Sequence, residues 1–169
     1  MYLSIFIKEI NMNQMVNPYD ALVSYQQALN DKLINPDVCK LHTDLTVLFE
    51  DFGEEFRFTY ALTEDGIVKG IVLFVRADPI NGINCFSIGY AVTEAFQNQG
   101  IAKEIIEKSI DELRNGFKDL LPQFYVEAII SINNEASKKI ALKIISDSPK
   151  ETIDEYSGSP AYQFVRLIN

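Results

Sequence analysis

The stretch Ile88–Ile106, IGYAVTEAFQNQGIAKEII, runs from an alternating apolar pattern into an amphipathic helical pattern through a polar turn with one glycine. That join constrains the fold more than any other part of the chain. A helix start leaves up to four backbone N–H groups without partners and carries partial positive charge. Glycine at position 100 lets the backbone bend sharply and keeps a Cβ out of the path of an approaching ligand. Residues 97–102, QNQGIA, thus make a cradle suited to phosphate oxygens. A plain turn before a helix would read the same way, because one glycine is a weak motif.

Periodicity around the join sets the class. NPYDALVSYQQALNDKL places Ala21, Leu22, Tyr25, Ala28, Leu29 and Leu33 at helical spacing, with Pro18 where a helix can begin. NPDVCKLHTDLTVLFEDF repeats that entry with Asn35-Pro36 and reads as less regular helical or turn structure, counted as a second helix. From Phe56 the period becomes two. FRFTYALTE, Asp65-Gly66 and IVKGIVLFVRA form a hairpin, and INCFSIGYAV follows as a strand. In the helix after the turn, Ala102, Ile106, Ile110, Leu113 and Phe117 make an apolar stripe joined by Ile101 and Ile105. Lys103, Glu107, Lys108, Asp111 and Glu112 are expected to face water, and Asn115-Gly116 to stop the helix. QFYVEAIIS is a further strand, and NNEASKKIALKII a short helix capped by Asn133 or Asn134. Two strands close the chain, near Thr152–Tyr156 and at AYQFVRLI, and MYLSIFIKEI suits a first strand rather than a signal peptide.

This order predicts an α/β (α+β) fold: a mixed, mostly antiparallel central sheet of about six to seven strands flanked by about four helices. The 169 residues, without repeat or linker, are expected to form one domain over 1–169. Net charge −9 argues against a nucleic-acid partner and would suit a cationic substrate. No apolar run approaches the roughly 18 residues of a membrane helix, so no membrane partner is expected. Cys39 and Cys85 fit neither a zinc spacing nor a disulfide framework, and the single His42 excludes a multi-histidine metal site. A cytoplasmic protein without metal is the expectation, with a homodimer among the permitted assemblies.

Other phosphate signatures are missing. No G-x-x-x-x-G-K-[ST] occurs, and no G-x-G-x-x-G follows the first strand. What remains is Q-x-x-G-x-A, and with it the chain resembles the GNAT superfamily of N-acetyltransferases. Gln97, Gly100 and Ala102 match the fixed points of that family's acetyl-CoA motif, and Val92 matches its strand end. Ile88-Gly89-Tyr90 and Gly100-x-Ala102-x-Glu104 resemble the branch containing ribosomal-protein N-terminal acetyltransferases. VEAIISINNEAS resembles the strand that leads to N-x-x-S, with Asn134 and Ser137 in register. The element order agrees with that fold over nearly the whole chain. The resemblance implies a sheet-and-helix domain that moves an acetyl group from acetyl-CoA to a primary amine of a peptide or small molecule. It implies that Val92 bonds pantetheine and that Gln97, Asn98, Gln99, Gly100, Ile101 and Ala102 line the pyrophosphate. It further places Asn134 on the cofactor arm and Ser137 near the thioester sulfur.

Three departures matter. Where many relatives carry a tyrosine that protonates the leaving thiolate, this chain has Ala141, so Ser137 is the candidate acid. Where the branch often carries a glutamate before Ile-Gly-Tyr, this chain has Ser87, which leaves Glu127 as candidate base beside Tyr90, Glu94 and Asp154. LKIISDSPKE replaces the usual Lys-x-Gly-Phe. A lysine amine is neutral in only roughly one molecule in 2,500 at pH 7, whereas an α-amine is neutral in roughly one in seven. A site without a strong base therefore favours an α-amine, or a base acting through water. A non-catalytic acyl-CoA-binding module of the same fold is the alternative.

Overall fold

The structure is a computed structural model that describes residues 17–169. The first strand expected at residues 1–10 lies outside the described residues. Those residues contain helices α1 (Pro18–Asn30), α2 (Ile101–Phe117) and α3 (Glu135–Ile144). The strands are β1 (Asp37–Val38), β2 (Leu45–Asp51), β3 (Phe56–Glu64), β4 (Ile67–Ile80), β5 (Ile83–Val92), β6 (Phe124–Ser131), β7 (Lys150–Ile153) and β8 (Pro160–Ile168). The expected α+β class holds, but with eight strands and three α-helices rather than six to seven and about four. None of the described helices is long and apolar enough to cross a membrane.

The chain divides into two compact units, the first with residues 17–75 and Gly89–Glu112, the second with Arg76–Ile88 and Leu113–Asn169. In the first, strands follow the order β1-β2-β3-β4-β5. α1 opens where Asn17 accepts hydrogen bonds from the N–H groups of Tyr19 (2.9 Å) and Asp20 (3.3 Å), with a proline in its first turn. It lays Ala21, Leu22 and Tyr25 on Ala61, Val68, Ile71 and Leu73. Gln26 pins it there, donating to the Gly66 carbonyl (3.0 Å) and accepting from the Val68 N–H (2.8 Å). The Asp65-Gly66 turn is as expected, with positive φ at both residues.

The expected second helix is absent. Asp37–Val38 and Leu45–Asp51 are strands instead, antiparallel to each other, and β2 pairs with β3 from Leu45↔Leu62 to Asp51↔Phe56. Pairing partners decide this: Thr46, Val47, Leu48 and Phe49 suit a pleated surface, and β3 offers them a ladder. Glu50 and Arg57 lie opposite each other in that register, joined at 2.7 Å and nearly out of solvent. A one-residue slip would separate them, so the pair fixes the ladder.

Glu112 also departs from expectation. It is only 7% exposed, because its carboxylate accepts the backbone N–H groups of Lys40 (3.3 Å), Leu41 (2.7 Å) and His42 (2.6 Å). His42 meets Asp111 at 3.5 Å and Lys108 pairs with Asp44, so three residues of α2 hold the loop between β1 and β2.

The second unit orders its strands β4-β5-β6-β8-β7. β5 and β6 run parallel through Cys85↔Tyr125 to Ser87↔Glu127, and β6 pairs antiparallel with β8 along its whole length. Phe124, Val126, Ala128 and Ile130 alternate onto one buried face with Phe164 and Ile168. α3 covers that face with Ala141 and Ile144, and Arg166 donates to the Ile144 carbonyl at 3.0 Å to close its C-terminus. α2 runs one residue past the expected stop, ending at Phe117, whose ring stacks on Phe86.

Glu112→Ala should lower unfolding free energy by roughly 1–3 kcal/mol, read from urea melts, since it leaves three part-buried N–H groups without their acceptor. Glu112→Gln, which keeps an acceptor oxygen, should lose less. A pH signature belongs to Asp44 and Lys108. The Lys108 ammonium holds the Asp44 carboxyl below its ordinary value, and Asp44 first, then Glu104, raises Lys108. Asp44 therefore stabilises the fold above the unfolded carboxylate value of about 3.9, and this is lost as pH falls through its lower folded value. Asp44→Asn should lower the urea midpoint at pH 7, and that difference should shrink as pH falls below the unfolded carboxylate value of about 3.9.

Candidate functional site

The join from Val92 to Ala102 lies in the first unit. β5 ends at Val92, and Thr93 fastens that end to β4 twice, its N–H to the Lys69 carbonyl (2.9 Å) and its hydroxyl to the Val68 carbonyl (2.6 Å). A single 3-10 turn, Glu94–Phe96, follows, and the Gln97 N–H closes it on the Glu94 carbonyl at 3.3 Å. The backbone then takes positive φ at Asn98 (61°) and Gly100 (81°), and α2 starts at Ile101. Its first internal bond runs from the Glu104 N–H to the Gly100 carbonyl, 3.1 Å. Nothing among the described residues accepts the backbone N–H groups from Asn98 to Lys103. A Cβ built on Gly100 would meet no atom within 4 Å, so the space above it is open. Adjacent amides, two left-handed residues and a helix N-terminus form an anion nest of the kind that suits phosphate oxygens.

Sequence reasoning missed one contributor. Gly70, inside β4, faces the join: a Cβ there would stand 3.1 Å from the Ala91 carbonyl oxygen and 3.4 Å from the Ile101 side chain. Its missing side chain lets the strand end and the helix start lie against β4. An isolated glycine within a strand pattern is the signal for such close approach. Lys69 beside it pairs with Glu64 (2.5 Å) and lies 5.3 Å over the Phe96 ring, bracing the 3-10 turn. Glu104 pairs with Lys108 at 2.7 Å, as expected for a helix-surface residue.

The remaining candidates lie in the second unit. Asn134, not Asn133, caps α3: its side-chain oxygen accepts the Ser137 N–H at 3.1 Å, which leaves its two amide hydrogens to donate. Ser137 sits half-buried in the first turn of α3. Glu127 accepts from the Gln163 carboxamide at 2.8 Å. By strand alternation it shares a face with Tyr125 and Ile129, opposite the face that α3 covers, so the structure does not bring Glu127 and Ser137 to one side of the sheet. Asp154 closes its own turn, accepting from the Tyr156 N–H. Ala141 is fully buried, so no acid stands there.

Both cysteines are buried, and desolvation pushes each thiol up to about 12. Nearby carboxylates, Glu112 and Asp44 for Cys39 and Glu127 and Asp78 for Cys85, add to the rise. Neither offers a thiolate at neutral pH. A thiol reagent at pH 8 should label neither cysteine in the native protein and both in urea. Among the described residues no group of three or more His, Cys, Asp or Glu could hold a metal ion.

Solved structures share this architecture. A GNAT-family acetyltransferase from Streptococcus pneumoniae superposes with TM-score 0.53 at 16% identity, over 92% of this chain and 98% of its own. A chimera of the Vibrio cholerae spermidine N-acetyltransferase gives 0.51 at 12%, over 69% and 68%. The ribosomal-protein-S5-alanine acetyltransferase of Vibrio fischeri gives 0.49 at 14%, over 67% and 61%. No curated protein matches the sequence. The acetyltransferase (GNAT) domain family matches residues 25–144, from α1 through the cradle to the end of α3, and the chain belongs to that family.

Proposed function

We propose that this chain, acting as one domain over residues 1–169, is an acetyl-CoA-dependent N-acetyltransferase whose acceptor is a primary amine of a peptide or small molecule. The observation that carries the reading is the run of unpartnered N–H groups from Asn98 to Lys103 at an open, positively polarised helix start. These amides would grip the diphosphate of coenzyme A, which would present the acetyl group as a thioester. Gln97 to Ala102 line that grip, and Val92 at the strand end bonds the pantetheine arm. The free amide hydrogens of Asn134 donate to the same arm. Ser137 supplies the proton to the departing sulfur. Glu127, held by Gln163 on the sheet face opposite Ser137, would draw the proton from the amine only through intervening water, a route that favours amines already partly neutral at pH 7. With both thiols buried and protonated, transfer is direct, in a ternary complex.

One observation favours a second reading, a non-catalytic acyl-CoA-binding module. Position 141 holds a fully buried alanine where many relatives carry the acid. Thiol release from acetyl-CoA in the presence of mixed amines separates the two: turnover supports the enzyme, and binding without turnover supports the module.

Coenzyme A at 100 times its Kd should add about 2.7 kcal/mol and raise Tm by roughly 5–10 °C. Gly100→Glu should abolish that rise, because its carboxylate would lie among the phosphates. Gly100→Ala carries the same backbone strain without the charge and should keep most of it. Equal responses from both variants would remove the diphosphate assignment. In a panel of amines, α-amines should be acetylated faster than lysine side chains at pH 7. Glu127→Gln should lower kcat roughly tenfold or more, with KM for acetyl-CoA unchanged.

A further inference from the structure

The two glutamines of the turn are exposed, and both reach back to the chain's own backbone. Gln97 donates its carboxamide to the Val92 carbonyl at 3.1 Å, and Gln99 donates to the Ala95 carbonyl at 3.2 Å. Both acceptors belong to the stretch between the strand end and the helix, where regular structure has stopped supplying donors. Between and after the glutamines come the two positive-φ residues, Asn98 and Gly100, which turn the following amides away from that stretch. The Val92 and Ala95 carbonyls are thus met by side chains, while the N–H groups from Asn98 onward have no acceptor among the described residues.

We infer that Gln97 and Gln99 are positioning residues, surface struts that hold the backbone so that the amides from Asn98 to Lys103 project outward together. This rests on the diphosphate reading of the cradle and changes the role of two of its residues: their carboxamides face the chain's own carbonyls, and they act on the ligand through the backbone. Gln97 is the more important strut. It spans from the last residue of β5 to the threshold of the left-handed turn, so it ties the strand that would bond pantetheine to the loop that would bond diphosphate. A hydrophobic residue at 97 would leave the Val92 carbonyl without that donor and free the turn to relax. An arginine there would restore a donor of sufficient reach.

The test uses the full chain with 15N label, first without ligand. Gln97→Met should shift the backbone amide resonances from Asn98 to Lys103, and Gln97→Arg should return them toward the wild-type positions. Calorimetric titration with coenzyme A should then show Gln97→Met binding about fivefold more weakly, the size expected for one lost hydrogen bond. Gln99→Met, acting at the exposed Ala95 carbonyl, serves the same purpose if Gln97→Met does not fold. Unchanged amides in the ligand-free variant overturn the inference. So does weaker binding with unchanged amides, which would mean the carboxamide touches coenzyme A itself. If wild type fails to bind coenzyme A while the amides still move, the struts stand and the diphosphate reading falls.

Discussion

The hydrogen bonds from Thr93 to β4 are what the rest of the join depends on. They stop β5 at a fixed point, and every later residue is placed from there: the 3-10 turn, the left-handed Asn98 and Gly100, and the first turn of α2. Gly70 makes the same point in the negative, since its missing side chain is what lets strand end and helix start lie close to β4. A loop with these residues but no anchor would sample many shapes, and clustered amides are useful to an anion only when they stay clustered.

α2 has two tasks and divides them along its length. Its first turn offers unpaired donors, while farther along Lys108, Asp111 and Glu112 hold the loop from Lys40 to Asp44. The buried carboxylate of Glu112 is tolerable because three N–H groups replace the water it gave up. The same device appears in reverse at α3, where the Asn134 side chain satisfies a helix N–H and its remaining hydrogens stay available.

Much of this was legible in the residues alone. Period-two alternation placed β3 to β6 and β8, the Asp65-Gly66 turn followed from residues that accept positive φ, and the apolar stripe of α2 is buried at Ile105, Ile106, Ile110 and Leu113. The cradle could be read because its chemistry is local, spanning six residues from Gln97 to Ala102. What could not be read was non-local. Leu45–Asp51 looked helical until β3 stood beside it, and Glu112 looked like a surface charge because its partners lie some 70 positions earlier. The bond from Gln97 back to the Val92 carbonyl was hidden for another reason: a glutamine in a polar turn carries no sign of which way its carboxamide points. The separation of Glu127 from Ser137 by the sheet follows from strand parity, which becomes useful only after the face covered by α3 is known.

The outermost strands have a consequence of a different kind. Among the described residues, the border of the first unit is β1, two residues long, and that of the second is β7, four residues opening with Lys150 and Glu151. Sheet borders offer dangling peptide groups that can recruit a stranger's backbone, and aggregation begins there. Here one border is too brief to template a ladder, and the other carries charges whose burial against a second chain would be costly. The sheet can grow to eight strands without becoming adhesive at its margins.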